Sequence, residues 1–425
     1  MKSNTTNHHY VSPSPGAFPI IGRGPCRLNQ TPTQEAFSQM SECGFNVALL
    51  SCPDSGWNDD VNGAWKLFYE QSFLYAENVN MSIIIDSAIL KYNHNTGVAG
   101  NWRKRLVSAF KDKTNLGGWK VQEEPVYDDF KESLLASELS YLEYACNEVY
   151  RLDPNHMAYC NLFYVPDGHK KIGTLKFKEF LAEYNTVFHT PVWSFDFYPV
   201  LETSVKYDDL FNCLDAFAEE SKLTGRPFWC YVLSNQHKVE STLYAKPTKG
   251  TLRFQAFLGL AYGAQGLVFW TYYLPENISN ETYLDAPVTE SGEKTEIWYD
   301  LQSVISEIKQ WSYIFLNGNV EERYISRNGT WEGNNLPLDK ITYDGPGIIV
   351  STIKNGTNKY MVVVSLDPFK EQKLIIYRKI TKPDTEIGKP FQPILPANEN
   401  SLANNEFRRE ERILSPGGYM FFVIP

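Results

Sequence analysis

The chain has 425 residues, too many for one ordinary small domain and suited to a barrel of roughly 250 to 300 residues plus an accessory domain. Its composition, 43% hydrophobic and 21% charged, is that of a globular protein able to bury a large core. The net charge of −10 and the lack of a long basic run exclude a nucleic-acid footprint. The longest apolar stretch, residues 257–270, contains Gln265 and is too short to span a bilayer. The seven cysteines (Cys26, Cys43, Cys52, Cys146, Cys160, Cys213 and Cys230) are scattered without a CxxC pair. They read as small buried hydrophobes rather than a disulfide scaffold or a metal site.

In chain order, residues 1–16 are polar and rich in Pro and Ser, and read as a disordered leader without the apolar centre of a signal peptide. From residue 17 the chain alternates between strand-like and helix-like segments. Apolar runs rich in β-branched and aromatic residues occur at 18–24 (FPIIGRG), 46–53 (NVALLSCP), 81–90 (MSIIIDSAIL) and 116–125 (LGGWKVQEEP). Four more follow at 156–165 (HMAYCNLFYV), 191–200 (PVWSFDFYPV), 226–237 (RPFWCYVLSNQH) and 264–274 (AQGLVFWTYYL). Between them, apolar residues spaced by three and four mark helices, with Thr31 and Thr33 as N-cap candidates for the first. The run starts are 28, 35, 35, 40, 35, 35 and 38 residues apart. Eight such units imply a parallel sheet with crossover helices, and eight close a barrel. An open doubly wound sheet is the alternative, but GRGPC after the first run is not a phosphate-binding fingerprint. A final helix over 296–318 ends the (β/α)8 TIM barrel, 17–318. Short alternating runs separated by Asn/Gly/Pro turns then read as an antiparallel β-sandwich over 319–425.

In a barrel, chemistry sits at the carboxyl ends of the strands. The polar residues there are Arg23, Ser51, Asp54, Asp86, Gln122, Glu123, Glu124, Asn161, Asp196, Tyr198, Ser234, Gln236 and His237, with the aromatics Trp270 and Tyr272. Run four is the most informative. It ends in two acids before Pro125, and a carboxyl at an aromatic-walled mouth has its pKa raised by desolvation and by its neighbour. That suits a general acid. The plain alternative is a surface pair of glutamates in a loop. Ser194, Asp196 and Tyr198 share one face by alternation. Trp270 and Tyr272 also share a face, either as a sugar platform or as core. Asp86 is either a site residue or the cap of the next helix. Gln236 and His237 are candidate hydrogen-bonding partners of hydroxyls. The seven histidines show no HxH or HExxH, so no metal is expected. No cofactor motif is present.

The setting QEEP resembles that of the retaining glycosidase clan that includes the β-galactosidases, in which the acid/base Glu follows Asn or Asp and precedes Pro at the end of strand four. CNLF (160–163), FDFYP (195–199), LAYGAQG (260–266), FWTYY (269–273) and PVTESGEKTEIWYDLQ (287–302) also resemble a group of secreted bacterial barrel glycosidases. The resemblance implies a secreted, periplasmic or cell-surface glycoside hydrolase, with Glu124 as acid/base and Asn161 facing the site; the aromatic-lined barrel mouth points to an oligo- or polysaccharide substrate. Glu123 replaces the expected Asn or Asp. The seventh run has no acid where the clan has its nucleophile; the nearest is Glu240. Asp196 is therefore the candidate partner. Two alternatives stay open: nucleophilic help from a substrate acetamido group oriented by Glu123, or by Asp196 and Tyr198, and a barrel that binds carbohydrate without cleaving it. The sequence does not fix the oligomeric state.

Overall fold

The computed structural model describes residues 9–27, 30–52, 64–91, 97–124, 132–167, 176–333, 336–379, 381–383, 385–388 and 407–425. Asp54 and Pro125 lie outside them. The described residues form two units by contact, 1–246 with 266–305 and 247–265 with 306–425.

In the first unit every apolar run yields a strand. They are β1 (Ile20–Arg23), β2 (Val47–Leu50), β3 (Ser82–Asp86), β4 (Leu116–Glu123), β5 (Ala158–Phe163), β6 (Trp193–Asp196) and β7 (Phe228–Leu233). After β8 (Gln236–Val239) and β9 (Thr242–Leu243), β10 (Gly266–Trp270) completes the set. Strands β1 to β7 and β10 close a parallel barrel in the order β1-β10-β7-β6-β5-β4-β3-β2. Strands buried on both faces are near-continuous apolar runs, and this is why they stand out in the sequence. Crossover helices connect them: α1 (Gln34–Cys43), α2 (Ala64–Glu77), α3 (Ala88–Lys91), α4 (Gly97–Phe110), α5 (Glu132–Leu152), α6 (Phe177–Val187) and α7 (Tyr207–Thr224). Thr33, not Thr31, caps α1. Its hydroxyl oxygen accepts from the Ala36 N–H at 3.2 Å, and Gly44 ends the helix in the left-handed conformation at φ 113°. No described helix is long and apolar enough to cross a membrane.

Alternate residues point into the barrel. Ile21, Val47, Leu49, Ile84, Met157, Tyr159, Val192, Trp229, Tyr231 and Val268 form one interior cluster. Tyr10, within the segment expected to be a free leader, packs on this cluster. It lies edge-on to Trp229 with ring centres 6.1 Å apart, so an apolar ring is covered where the sequence shows only a polar stretch. The run 226–237, read as one strand, is two. Chain direction changes at Ser234 and Asn235, and β8 joins β9 and β11 (Glu281–Asp285) in a separate sheet of order β11-β8-β9.

The second unit contains α8 (Lys249–Tyr262), the later part of α9 (Glu296–Phe315) and two antiparallel sheets. The first has β12 (Asn319–Ser326), β15 (Ile348–Asn355), β16 (Asn358–Ser365), β20 (Tyr419–Ile424) and β18 (Glu386–Ile387). The second has β13 (Thr330–Glu332), β14 (Lys340–Tyr343), β17 (Gln372–Lys379) and β19 (Phe407–Leu414). Val350, Met361, Val363 and Phe422 of one sheet and Ile341, Leu374, Ile376 and Leu414 of the other fill one core. Alternate residues of both sheets thus build a sandwich.

Tight packing at the barrel wall leads to a prediction. A Cβ on Gly266 would lie 2.6 Å from the Trp229 ring, itself fully buried. Gly266→Ala is expected to cost about 1–3 kcal/mol by overpacking. Urea unfolding checks this, and an unchanged midpoint would refute it.

Candidate active site

The site begins with a register shift in β4. Lys120 pairs with Tyr159 of β5, Gln122 with Cys160 and Glu123 with Asn161, so Val121 is an extra residue. Strict alternation would put Lys120, Gln122 and Glu124 on one face and Glu123 on the other. The bulge re-aims the strand end. Tyr159 and Asn161 point inward, and Lys120 and Glu123 now join them. Gln122 falls on the outer face with Cys160. Glu124 follows the strand with φ 41°, and its N–H donates to the Asn161 carbonyl at 2.8 Å. A non-glycine residue in this region is held against a local cost, a feature concentrated at functional sites.

One oxygen from each of Glu123, Glu124 and Asp196 lies within 4.8 Å of the others. The Asn161 amide ties the acids together. It donates to Glu123 Oε1 at 2.9 Å and to Asp196 Oδ1 at 2.6 Å, while Ser194 Oγ donates to Asn161 Oδ1 at 2.8 Å. Lys120 is fully buried and pairs with Glu123 and, at 3.4 Å, with Asp86. Asp86 also takes Arg23 at 3.1 Å and the Ser51 hydroxyl at 3.0 Å. The Arg23 guanidinium in turn lies 4.5 Å from the centre of the Trp270 ring.

These environments separate the acids. Burial pushes the Asp196 carboxyl well above the usual carboxylate range. The charge of Glu124 and a hydrogen bond with it push the same way, and donation from Asn161 opposes them. Asp196 therefore holds on to its proton, hydrogen-bonded to Glu124. Asp196 is only 5% exposed, whereas Glu124 is half-buried and the Glu123 side chain keeps 28% of its surface. The two glutamates are the members that a ligand can reach. Glu123, Glu124 and Asp196 are also the described residues close enough to share a cation. The Lys120 ammonium and the Asn161 amide already engage two of them.

The other expected residues divide. Asp86 lies in the barrel interior, not at a helix cap; Ser87 Oγ accepts from the Ile89 N–H instead. Tyr198 stands two residues beyond the end of β6, half-buried. Burial, then the charges of Asp196 and Glu124, raise its phenol and keep it a donor. Trp270 is half-buried on the inner face. Tyr272 does not join it. β10 ends at Trp270, so alternation stops, and the buried Tyr272 hydroxyl meets Gln39 and Trp298. Gln236 and His237 left the barrel with β8. Gln236 donates to the Tyr244 carbonyl at 3.4 Å. His237 is buried, stacked against Tyr244 and Tyr283 with ring centres 4.6 and 5.4 Å away, and burial lowers its pKa to about 4. Lys120 was missed by the sequence reading. Its only trace is a charged residue inside an apolar strand.

No family model matches the chain, and no curated protein matches it by sequence. Its fold is similar to that of a catalytic mutant of a GH42 β-galactosidase from G. stearothermophilus, with a TM-score of 0.63 and 9% identity over 98% of this chain and 99% of that one. The β-galactosidase of Bacillus circulans sp. alkalophilus gives a TM-score of 0.62 at 9% identity, over 96% and 99%. That of the psychrophilic Marinomonas ef1 gives 0.50 at 9%, over 68% of this chain and 59% of that one. The likeness is one of fold.

The shared proton has a consequence for stability. Asp196 holds its proton more tightly folded than unfolded, so its contribution is present below the unfolded pKa and is lost as pH rises through the raised folded value. Asp196→Asn, neutral throughout, is expected to melt above wild type at about pH 8, with the gain shrinking towards about pH 4. Melting curves across that range test it; a pH-independent difference would refute the raised Asp196 carboxyl.

Proposed function

We propose that the chain is a glycoside hydrolase that cleaves O-glycosidic bonds of an oligo- or polysaccharide. The observation that carries this reading is the gathering of Glu123, Glu124 and Asp196 within 4.8 Å at the carboxyl ends of the β4 and β6 barrel strands. Glu124 is the general acid/base. It is the accessible acid, hydrogen-bonded to the protonated Asp196, and it passes that proton to the leaving oxygen. Asp196 tunes Glu124 rather than attacking, because it lies buried behind Asn161. Glu123, paired with Lys120, is the anion that attacks the anomeric carbon as the leaving oxygen departs; water, deprotonated by Glu124, then displaces the sugar from Glu123. Trp270 and Tyr198 offer apolar ring surface and a phenol donor to the bound sugar. Secretion of the chain belongs to the same proposal and rests on the resemblance of its barrel motifs to secreted bacterial glycosidases.

Inverting enzymes separate their carboxyl groups by roughly 6.5–9.5 Å to admit a water, and retaining enzymes by about 5–5.5 Å. The spacing here, within 4.8 Å, supports retention over inversion. Ser234 and Asn235, at the end of β7, bond to the backbone around Trp270 and Thr271 and offer no carboxylate. That observation favours a second reading, in which a substrate acetamido group attacks and Glu123 orients it; this route also retains configuration.

Proton NMR of the first product from a panel of aryl glycosides, with and without a 2-acetamido group, is expected to show retained anomeric configuration. Inversion would sink the spacing argument. Hydrolysis confined to 2-acetamido substrates would select the second reading. Glu124→Gln is expected to lower kcat by about 10²–10⁴ on substrates with poor leaving groups. If wild type binds sugars but releases none, the chain is a binding barrel and the enzyme reading falls.

A further inference from the structure

We infer that Lys120 is a positioning residue that fixes Glu123 as the anion of the acidic cluster, an assignment that rests on the glycosidase reading for its catalytic meaning. Lys120 has no solvent exposure, and its ammonium lies between Asp86 and Glu123. A buried ammonium is tolerated only where carboxylates match it. Asp86 alone does not require Lys120, because Arg23 already pairs with Asp86 at 3.1 Å and Ser51 donates to it at 3.0 Å. What Lys120 adds is its contact with Glu123. The Val121 bulge makes this contact possible by bringing residues 120 and 123 to one face.

The charged and polar groups linked to this ammonium directly or through its carboxylate partners, or beside it on the sheet, come from six strands or strand ends. Arg23 belongs to β1, Ser51 follows β2 and Asp86 ends β3. Glu123 ends β4 with Glu124 beyond it, Tyr159 and Asn161 lie on β5, and Asp196 lies on β6. Lys120 also acts on Asp196 through its charge, favouring the ionised form. It therefore biases the cluster as a whole. Glu123 stays charged against the ammonium, and the proton held by Asp196 reaches the surface of the site through its hydrogen bond with Glu124.

A structural lysine and a positioning lysine differ in what its removal does. Lys120→Met keeps the length of the side chain and removes the charge. Lys120→Arg keeps the charge. On an aryl glycoside, Lys120→Met is expected to lower kcat about a hundredfold with little change in KM, and to move the acidic limb of the pH profile upwards. Lys120→Arg is expected to restore part of the rate.

Carboxyl 13C NMR of Glu-labelled protein reads the same inference without turnover, with the Glu123 signal assigned through Glu123→Gln. In wild type this signal is expected to stay at the ionised position while the Glu124–Asp196 pair titrates, and in Lys120→Met to titrate along with the pair. An identical Glu123 titration in both proteins overturns the inference. A shifted titration alongside a wild type that cleaves no glycoside sinks the glycosidase reading and leaves the Lys120–Glu123 pairing standing. If Lys120→Met does not fold, Glu123→Gln supplies the reciprocal test. The Lys120 13Cε signal is then expected to titrate at lower pH than in wild type, and no change overturns the pairing.

Discussion

A lysine ammonium without contact with water sits inside the mouth of this barrel, and much of the site follows from the need to match it. Removing a cation from water costs several kcal/mol unless anions compensate closely. Asp86 and Glu123 supply that compensation, and each is then held by further groups. Arg23 and Ser51 hold Asp86, and the Asn161 amide holds Glu123. The same amide reaches Asp196, so a chain of charges and hydrogen bonds runs from β1 to β6. Removing one member would leave another buried and unmatched, which ties the positions of the acids to the closure of the barrel itself.

The fold was legible because of that closure. Strands covered on both faces have to be apolar throughout, and β2 (VALL) and β3 (SIIID) show this without any alternation to decode. The helices between them carry a different period, and Thr33 and Gly44 bracket the first of them as capping chemistry requires. The acids at the end of β4 and the Asp of β6 were legible for a related reason, since a charge at the end of an apolar strand is rarely neutral to its surroundings.

What the sequence hid was register. A bulge is a property of the pairing between two strands, and nothing in WKVQEE announces that Val121 is the extra residue. Without it, alternation gives Glu123 the outward face and makes Lys120 unremarkable. Direction was hidden too. Nothing in VLSNQH marks where the barrel strand ends and β8 begins, so Gln236 and His237 read as barrel residues when they belong to a separate sheet, with His237 edge-on to Tyr198 at 6.3 Å. Tyr272 failed for the same cause at the end of β10, where the two-residue period no longer applies. Each of these differences lies at a strand end, where backbone geometry and not side-chain type decides which way a residue faces.

Glu123 and Glu124 are neighbours in the chain and of the same chemical type, yet they are not chemically equivalent. One sits against an ammonium; the other shares a proton with a carboxyl that burial keeps from ionising. A single backbone irregularity, with Glu124 turned into the left-handed region just after it, separates them by sending their side chains to different partners. Acid–base chemistry at neutral pH needs one carboxyl that is charged and one that is not. Here the difference comes from Lys120, which Asp86 of β3 helps to hold, and from Asp196 of β6. It is therefore a property of the closed barrel and not of the QEE segment.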